Sequence, residues 1–237
     1  MDLAEFSKKV LEMICSRNVH NLNFVTPDHF FPYTFQLVDI LRRKGCHLPT
    51  VYNVSGYQSV PILKMAEEYA DIYLPDYKYA DPSLSLTVSK CKDYPRVALG
   101  AITEMVRQKG FLDSFSTGSG LAGKGVLVRH LILPGWVCNS LDALSTLFIE
   151  FGPGLPLSLM SQFQPVLPNK DRALNRCLTR DEFDRVFGHA MELGFENLFV
   201  QFPDEKCDGS KRNSSFLPDF SLKEPFRSNG PAKDPCV

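Results

Sequence analysis

Gly125-Val-Leu-Val-Arg-His-Leu-Ile-Leu133, closed by Pro134-Gly135, is the strongest strand signal in the chain. Two polar residues interrupt it, Arg129 and His130, and strand alternation sends them to opposite faces. Working outward, each neighbouring apolar run is separated from the next by a segment of helical period. Asn21–Val25, Thr50–Val54, Asp71–Asp76, Leu155–Met160 and Asn197–Gln201 read as further strands, with Pro75 at a strand end. Between them lie a helix opened by Thr26-Pro27-Asp28 and stopped by Gly45, and a helix leading through Met65 to Ala70. Helices at Val97–Lys109 and Ser140–Phe151 follow, then one at Glu182–Leu193 behind the capping box Thr179-Arg-Asp-Glu182. Asp81–Pro95 shows no clear period, and Ser114–Lys124, rich in Gly and Ser, reads as a loop.

Strands alternating with helices imply parallel βαβ units, and six strands in this order suit a doubly wound sheet or a partial barrel. Polar residues follow nearly every strand, where barrel enzymes place their sites, which favours the barrel. The chain opens on a helix, Leu3–Cys15, so a strand and loop ahead of it are expected to be missing, leaving an unpaired edge near Asn21. Residues 1–202 are expected to form this barrel. Residues 203–237, dominated by Pro, Lys, Asp, Ser and Gly, read as a mostly irregular tail whose apolar pieces, Phe216-Leu217 and Pro225-Phe226, are candidates to dock on it.

The totals exclude several classes. With Lys+Arg 26 against Asp+Glu 27 in 237 residues, the net charge of −1 argues for neither nucleic acid nor a lipid surface as main partner. No apolar run approaches the ~18 residues that span a bilayer, and the amphipathic N-terminus has no signal-peptide core, so a cytoplasmic setting is expected. The seven cysteines, at 15, 46, 91, 138, 177, 207 and 236, are odd in number and widely spaced, which argues against a disulfide framework. None forms a Cys-x-x-Cys or Cys-x-x-x-Cys-x-x-Cys pattern, so no metal ligand is assigned.

Several residues could carry chemistry. Asp76 and Lys78 are two apart after the third strand, so an extended backbone puts both on one face. Lys78 could pair with a substrate carboxylate or phosphate, form a Schiff base, or be a solvated loop lysine. Arg129 suits bidentate carboxylate binding, the alternative being a structural ion pair with Asp76 or Asp71. His130 reads more readily as a satisfied core histidine than as a catalyst. Thr26, Asp28 and His29 end the first strand and Asn53 and Ser55 the second, where capping and turn formation explain them as well as function does. Gln162 and Gln164 follow the fifth strand as neutral hydrogen-bonding candidates. Ser161 lacks the glycines of a nucleophile elbow.

Six strings, taken together and in order, resemble the radical S-adenosylmethionine (SAM) superfamily, in its pyruvate formate-lyase activating enzyme-like branch. They are Asn23-Phe-Val-Thr-Pro-Asp-His29, Val51-Tyr-Asn-Val-Ser-Gly-Tyr57, Asp71-Ile-Tyr-Leu-Pro-Asp-Tyr-Lys-Tyr79, Val128-Arg-His-Leu-Ile-Leu-Pro-Gly135, Met160-Ser-Gln-Phe-Gln-Pro165 and Leu217-Pro-Asp-Phe220. The resemblance implies an α/β fold, a partial (β/α)6 TIM-like barrel of the radical SAM type, here with its first strand and cluster loop missing. It implies SAM and a [4Fe–4S] cluster as cofactors, reductive cleavage of SAM to a 5′-deoxyadenosyl radical, and a substrate that could be a glycyl-radical-type protein. It places Lys78 and Arg129 against the SAM carboxylate, Asn53 and Ser55 against the ribose and methionine moiety, Thr26 and His29 near the amino group, and Gln162 near the adenosine. The cysteine triplet that holds the cluster in that family is absent, so these 237 residues alone are expected to have little or no such activity. The residues leave two other readings open: a metal-free barrel aldolase or isomerase using Lys78, and a non-catalytic barrel remnant that binds a partner.

Overall fold

The computed structural model describes residues 2–17, 19–113 and 121–203. The expected tail, its apolar pieces, Cys207 and Cys236, and most of the Ser114–Lys124 loop lie outside these residues. Among the described residues seven strands and seven α-helices follow in the order α1 Leu3–Ser16, β1 Leu22–Val25, α2 Phe31–Arg43, β2 Thr50–Val54, α3 Val60–Ala66, β3 Ile72–Pro75, α4 Pro82–Ser89, α5 Tyr94–Lys109, β4 Gly125–Val126, β5 Val128–Leu131, α6 Val137–Phe151, β6 Leu157–Met160, α7 Arg180–Leu193 and β7 Leu198–Val200.

All strand pairs are parallel, in the orders β1-β2-β3-β4 and β5-β6-β7. A bridge between Asp76 and Arg129, with Tyr77 N–H donating to Arg129 C=O at 2.9 Å, continues β3 onto β5. β4 and β5 are therefore the two halves of the Gly125–Leu133 run, and six strands stand side by side in chain order. A doubly wound sheet reverses its order partway; this one does not. It is a singly wound α/β arc, a partial barrel whose first and last strands are unpaired with each other among the described residues.

Alternation divides the sheet into two faces. Tyr52 on β2, Tyr73 on β3, His130 on β5 and Leu157 and Leu159 on β6 are each 0% exposed and turn toward the helices. Tyr52 stacks on Phe31 of α2 at 5.6 Å, and the Tyr73 hydroxyl donates to Gln108 of α5 at 2.9 Å. The intervening residues face the hollow of the arc: Val51 and Ile72, paired across β2 and β3, are buried at its floor, while Val25, Asn53, Leu74, Arg129, Leu131, Ser158 and Met160 stay half-buried or exposed. A closed barrel fills its interior with side-chain layers; the open arc leaves a wet trough.

Three local expectations are corrected. Thr26-Pro27-Asp28 does not open the long helix. Pro27–His29 is a single 3-10 turn, Thr26 adopts a left-handed conformation (φ 57°), and α2 starts at Phe31, with Pro32 in its first turn. The helix after β2 lies within the segment expected, Val60–Ala66 with Pro61 in its first turn, but ends at Ala66 rather than Ala70. Asp81–Pro95 is not irregular: it contains α4 and the start of α5, with the Asp81 carboxylate accepting from Ser83 N–H at 2.7 Å as the cap of α4. The capping box at Thr179 and Glu182 forms as read.

Candidate functional site

The C-terminal end of β3 and the first half of β5 bring together what the sequence separates by more than fifty positions. Asp76 ends β3, Lys78 follows it, and Arg129 stands beside Asp76 across the sheet. Arg129 Nη2 lies 2.6 Å from Asp76 Oδ1, and Lys78 Nζ contacts Asp76 Oδ2. Both cations thus meet on one carboxylate, and the ion pair of Arg129 with Asp76 is realised. The side chains are 14% exposed at Asp76, 20% at Arg129 and 35% at Lys78, so the trio lines the trough within reach of solvent. Its formal charge is +1.

The pairing is incomplete. The Arg129–Asp76 Oδ1 contact is within ion-pair distance but lacks hydrogen-bond alignment, and Arg129 Nε is shut off from solvent without a hydrogen-bond partner. A guanidinium offers five donors in a rigid fork, and this one retains capacity for a second acidic group. An unmade buried bond of that kind costs roughly 1–3 kcal/mol.

A second cluster sits at the ends of β1 and β2. Asp28 Oδ1 accepts from Ser55 N–H at 3.2 Å and also contacts Ser55 Oγ and Gln58 Nε2. Gln58 is buried, and its Oε1, like Asp28 Oδ2, has no hydrogen-bond partner. The turn that carries Ser55 requires glycine at position 56: φ is +82°, and a Cβ there would come 2.0 Å from the carbonyl oxygen of Asp76. The two strand ends are in direct backbone contact.

The remaining sequence candidates are distributed unevenly. Asn53 lies on the trough face of β2, two residues before Ser55, and its carbonyl accepts from Thr26 N–H at 3.1 Å. Thr26 and His29 are exposed at the end of β1, and Gln162 is exposed after β6, its amide 3.9 Å from Met160 Sδ. His130 is not in the trough. It is fully buried on the helix side, with Nδ1 2.7 Å from Tyr77 O and Nε2 2.9 Å from Ser140 Oγ of α6, and burial pushes its imidazole pKa down. Sequence reasoning missed Gln58 and Tyr94, whose partners are distant in the chain. The only local signal for Gln58 was its place three residues after Ser55, within the same turn.

Among the described residues no three His, Cys, Asp or Glu side chains converge so as to hold a metal ion. Cys15 and Cys138 are exposed, and Cys46, Cys91 and Cys177 are half-buried and far apart in the chain. A [4Fe–4S] cluster is held by cysteine thiolates gathered at one place, and the described residues do not fit one. The trough is a different matter: its paired cations and hydrogen-bonding strand ends fit the charged and polar groups of a small ligand.

No family model matches the chain. It is 22% identical over 184 residues to an uncharacterized protein of Methanocaldococcus jannaschii, a match that takes in 76% of this chain and 48% of that protein. The chain thus spans about half the length of the curated relative it matches. A solved domain of pyruvate-formate lyase-activating enzyme from Bacteroides vulgatus superposes with a TM-score of 0.49 at 12% identity, over 77% of this chain and 99% of that domain. The fold assignment stands on the strand order of this chain itself. Among the described residues no helix is long and apolar enough to cross a membrane.

Proposed function

We propose that the chain is a SAM-binding barrel of the radical SAM type, and that the rim of the trough holds the aminocarboxylate end of SAM. The convergence of Lys78 and Arg129 on the trough side of adjacent strands carries this reading, together with the unsatisfied Arg129 Nε. In the bound state the ligand carboxylate would share the two cations with Asp76, recovering the charge-assisted bonds that Arg129 lacks. Asn53 and Ser55 would meet the ribose and methionine moiety, Thr26 and His29 the amino group, and Gln162 the adenosine. Since the described residues hold no ligand set for an iron–sulfur cluster, the reading concerns binding of SAM. Its reductive cleavage, a glycyl-radical-type protein substrate and a cytoplasmic setting belong to the same proposal only at the level of the family.

Calorimetric titration of the chain with SAM tests it. Micromolar to submillimolar binding is expected, weakened about tenfold or more by Arg129→Ala, on the scale of ~1.5–3 kcal/mol for a hydrogen bond to a charged group. Absence of heat with SAM at millimolar concentration, in a folded chain, would sink it.

The aldolase reading gains nothing from the geometry: Lys78 Nζ is tied to Asp76 rather than placed in the apolar surroundings that make a lysine nucleophilic. The partner-binding reading has one observation in its favour. β1 is an edge strand with no proline or charge in it, and Val25 on it is 70% exposed.

A further inference from the structure

Three buried tyrosines spend their hydroxyls differently. Tyr52 donates to Thr34 at 3.0 Å and Tyr73 to Gln108 at 2.9 Å, both on the helix side of the sheet. Tyr94, the first residue of α5 and 4% exposed, sends its hydroxyl the other way, into the loops at the strand ends. It accepts from Lys78 N–H at 3.1 Å and donates to the carbonyl of Asp76 at 2.8 Å, with the carbonyl of Ser55 sharing the proton at 3.0 Å. One side-chain oxygen therefore holds the backbone of the two residues whose side chains form the ion pair, and of the residue that ends β2. The ring is itself fixed: Tyr57 stacks on it at 5.9 Å with the planes 9° apart, and Tyr79 meets it edge-on at 5.2 Å.

We infer that Tyr94 is a positioning residue for the rim, setting the separation and orientation of Ser55, Asp76 and Lys78 without touching ligand. The physical reason is that its three partners have no cheap substitute. Tyr94 is 4% exposed, and a Cβ on Gly56 would sit 3.2 Å from its hydroxyl, so little room remains for a bridging water. Without the hydroxyl, the Asp76 carbonyl and the Lys78 amide would be left buried and unpaired, and the loop would shift to find other partners. The carboxylate and ammonium would move with it. A displacement of about 1 Å is enough to spoil a charge-assisted contact of fixed geometry. Burial pushes the Tyr94 phenol well above its usual pKa, so it remains a donor throughout the neutral range.

This inference takes its ligand from the SAM reading, so its test includes an arm that needs no ligand. Tyr94→Phe keeps the ring and removes only the hydroxyl. Tyr52→Phe removes a buried tyrosine hydroxyl bond of the same kind on the opposite face, at Thr34, and serves as the stability control. In both variants of the full chain three quantities are measured: the thermal midpoint, the SAM dissociation constant, and hydrogen exchange of the Lys78 ammonium by 1H–15N NMR, assigned by its loss in Lys78→Arg. Both variants are expected to lower the midpoint by a few degrees. Only Tyr94→Phe is expected to weaken SAM binding about tenfold and to speed ammonium exchange by a similar factor, an energy of ~1.4 kcal/mol. Equal behaviour of the two variants in both site readouts would overturn the inference. If the parent chain binds no SAM but Tyr94→Phe still releases the ammonium, the SAM reading falls and the positioning role stands. A parent chain with neither SAM affinity nor a protected ammonium overturns both. Should Tyr94→Phe not fold, 3-fluorotyrosine at position 94 keeps the ring and its hydroxyl, replaces one ring hydrogen by fluorine and changes the hydroxyl's hydrogen-bonding strength. A shift of twofold or more in either site readout then supports the role, and no shift rejects it.

Discussion

The two faces of this sheet are built from the same strands and do opposite work. On the helix side Tyr52, Tyr73, His130, Leu157 and Leu159 are sealed completely, while their immediate neighbours on the trough side, Leu74, Arg129, Ser158 and Met160, stay in reach of solvent. Because the arc does not close, the trough side packs only at its floor, where Val51 and Ile72 are buried, and it leaves its polar and charged side chains within reach of solvent. The sharpest way to break this comparison is to truncate adjacent residues of β6. Leu159→Ala, at a site that is 0% exposed, is expected to cost about 2–5 kcal/mol. Met160→Ala, next to it but facing the trough, is expected to cost less than about 1 kcal/mol. Urea unfolding of the two variants measures both, and equal costs would show that the trough is packed after all.

Acid separates the faces next. His130 is buried as the neutral form, and burial holds its imidazole pKa below the ordinary histidine value of 6.5. The unfolded chain binds a proton that the folded chain refuses, so this contribution is fully present well above pH 6.5 and erodes as pH falls below it. Glu104 and Glu182 act at lower pH. Hydrogen bonds from Arg107 to Glu104, and from Arg176 to Glu182, hold each carboxylate down to about 2 from the ordinary glutamate value of 4.5. Their contribution is complete above pH ~4.5 and is lost as pH falls toward 2. Glu182 also accepts from Gly135 N–H at 2.6 Å and closes the capping box of α7, tying the turn after β5 to that helix. Glu182→Gln should therefore remove on the order of 1–3 kcal/mol at pH 7 and flatten the stability curve between pH ~4.5 and 2. A pH series of chemical denaturation reads both the loss and the changed slope.

The sequence makes one face more legible than the other. Each strand was visible because its helix-side residues are aliphatic or aromatic, and the two-residue period survives even where Arg129 and His130 interrupt it. The partial-barrel choice followed from polar strand ends, and the strand order bears it out. α4 escaped notice because Pro82-Ser-Leu-Ser-Leu-Thr-Val-Ser89 alternates small polar and apolar residues in a strand-like period. The usable signal was the Asp81-Pro82 start, an N-cap followed by proline at the first helical position. The split at Thr26–Phe30 was hidden because a left-handed threonine has no composition signature. Asp76 and Lys78 were readable as a pair from their spacing of two. Gln58 and Tyr94 were not, since Gln58 reaches Asp28 thirty residues away and Tyr94 reaches Ser55 thirty-nine residues away. Contacts of that range leave no trace in local periodicity.

The smallest expected effect lies at the margin where the two faces meet solvent. Val25 ends the edge strand, points into the open side of the arc and is 70% exposed, so it contributes almost nothing to the fold. Replacing it with lysine should change stability by no more than about 0.5 kcal/mol. Its effect on association is a separate matter. Among the described residues β1 pairs only with β2, and Asn23 and Val25 along that edge are exposed. Natural sheets commonly block such an edge with a lysine, because a buried ammonium would have to be desolvated before a partner strand could pair. If the parent chain self-associates through this edge, Val25→Lys should return it to a monomer in sedimentation without moving its unfolding midpoint. Association that persists in Val25→Lys would place the contact elsewhere on the molecule. A parent chain that is monomeric at high concentration would mean that four residues of bare edge are too short to recruit a partner, consistent with the marginal stability of isolated strand pairs.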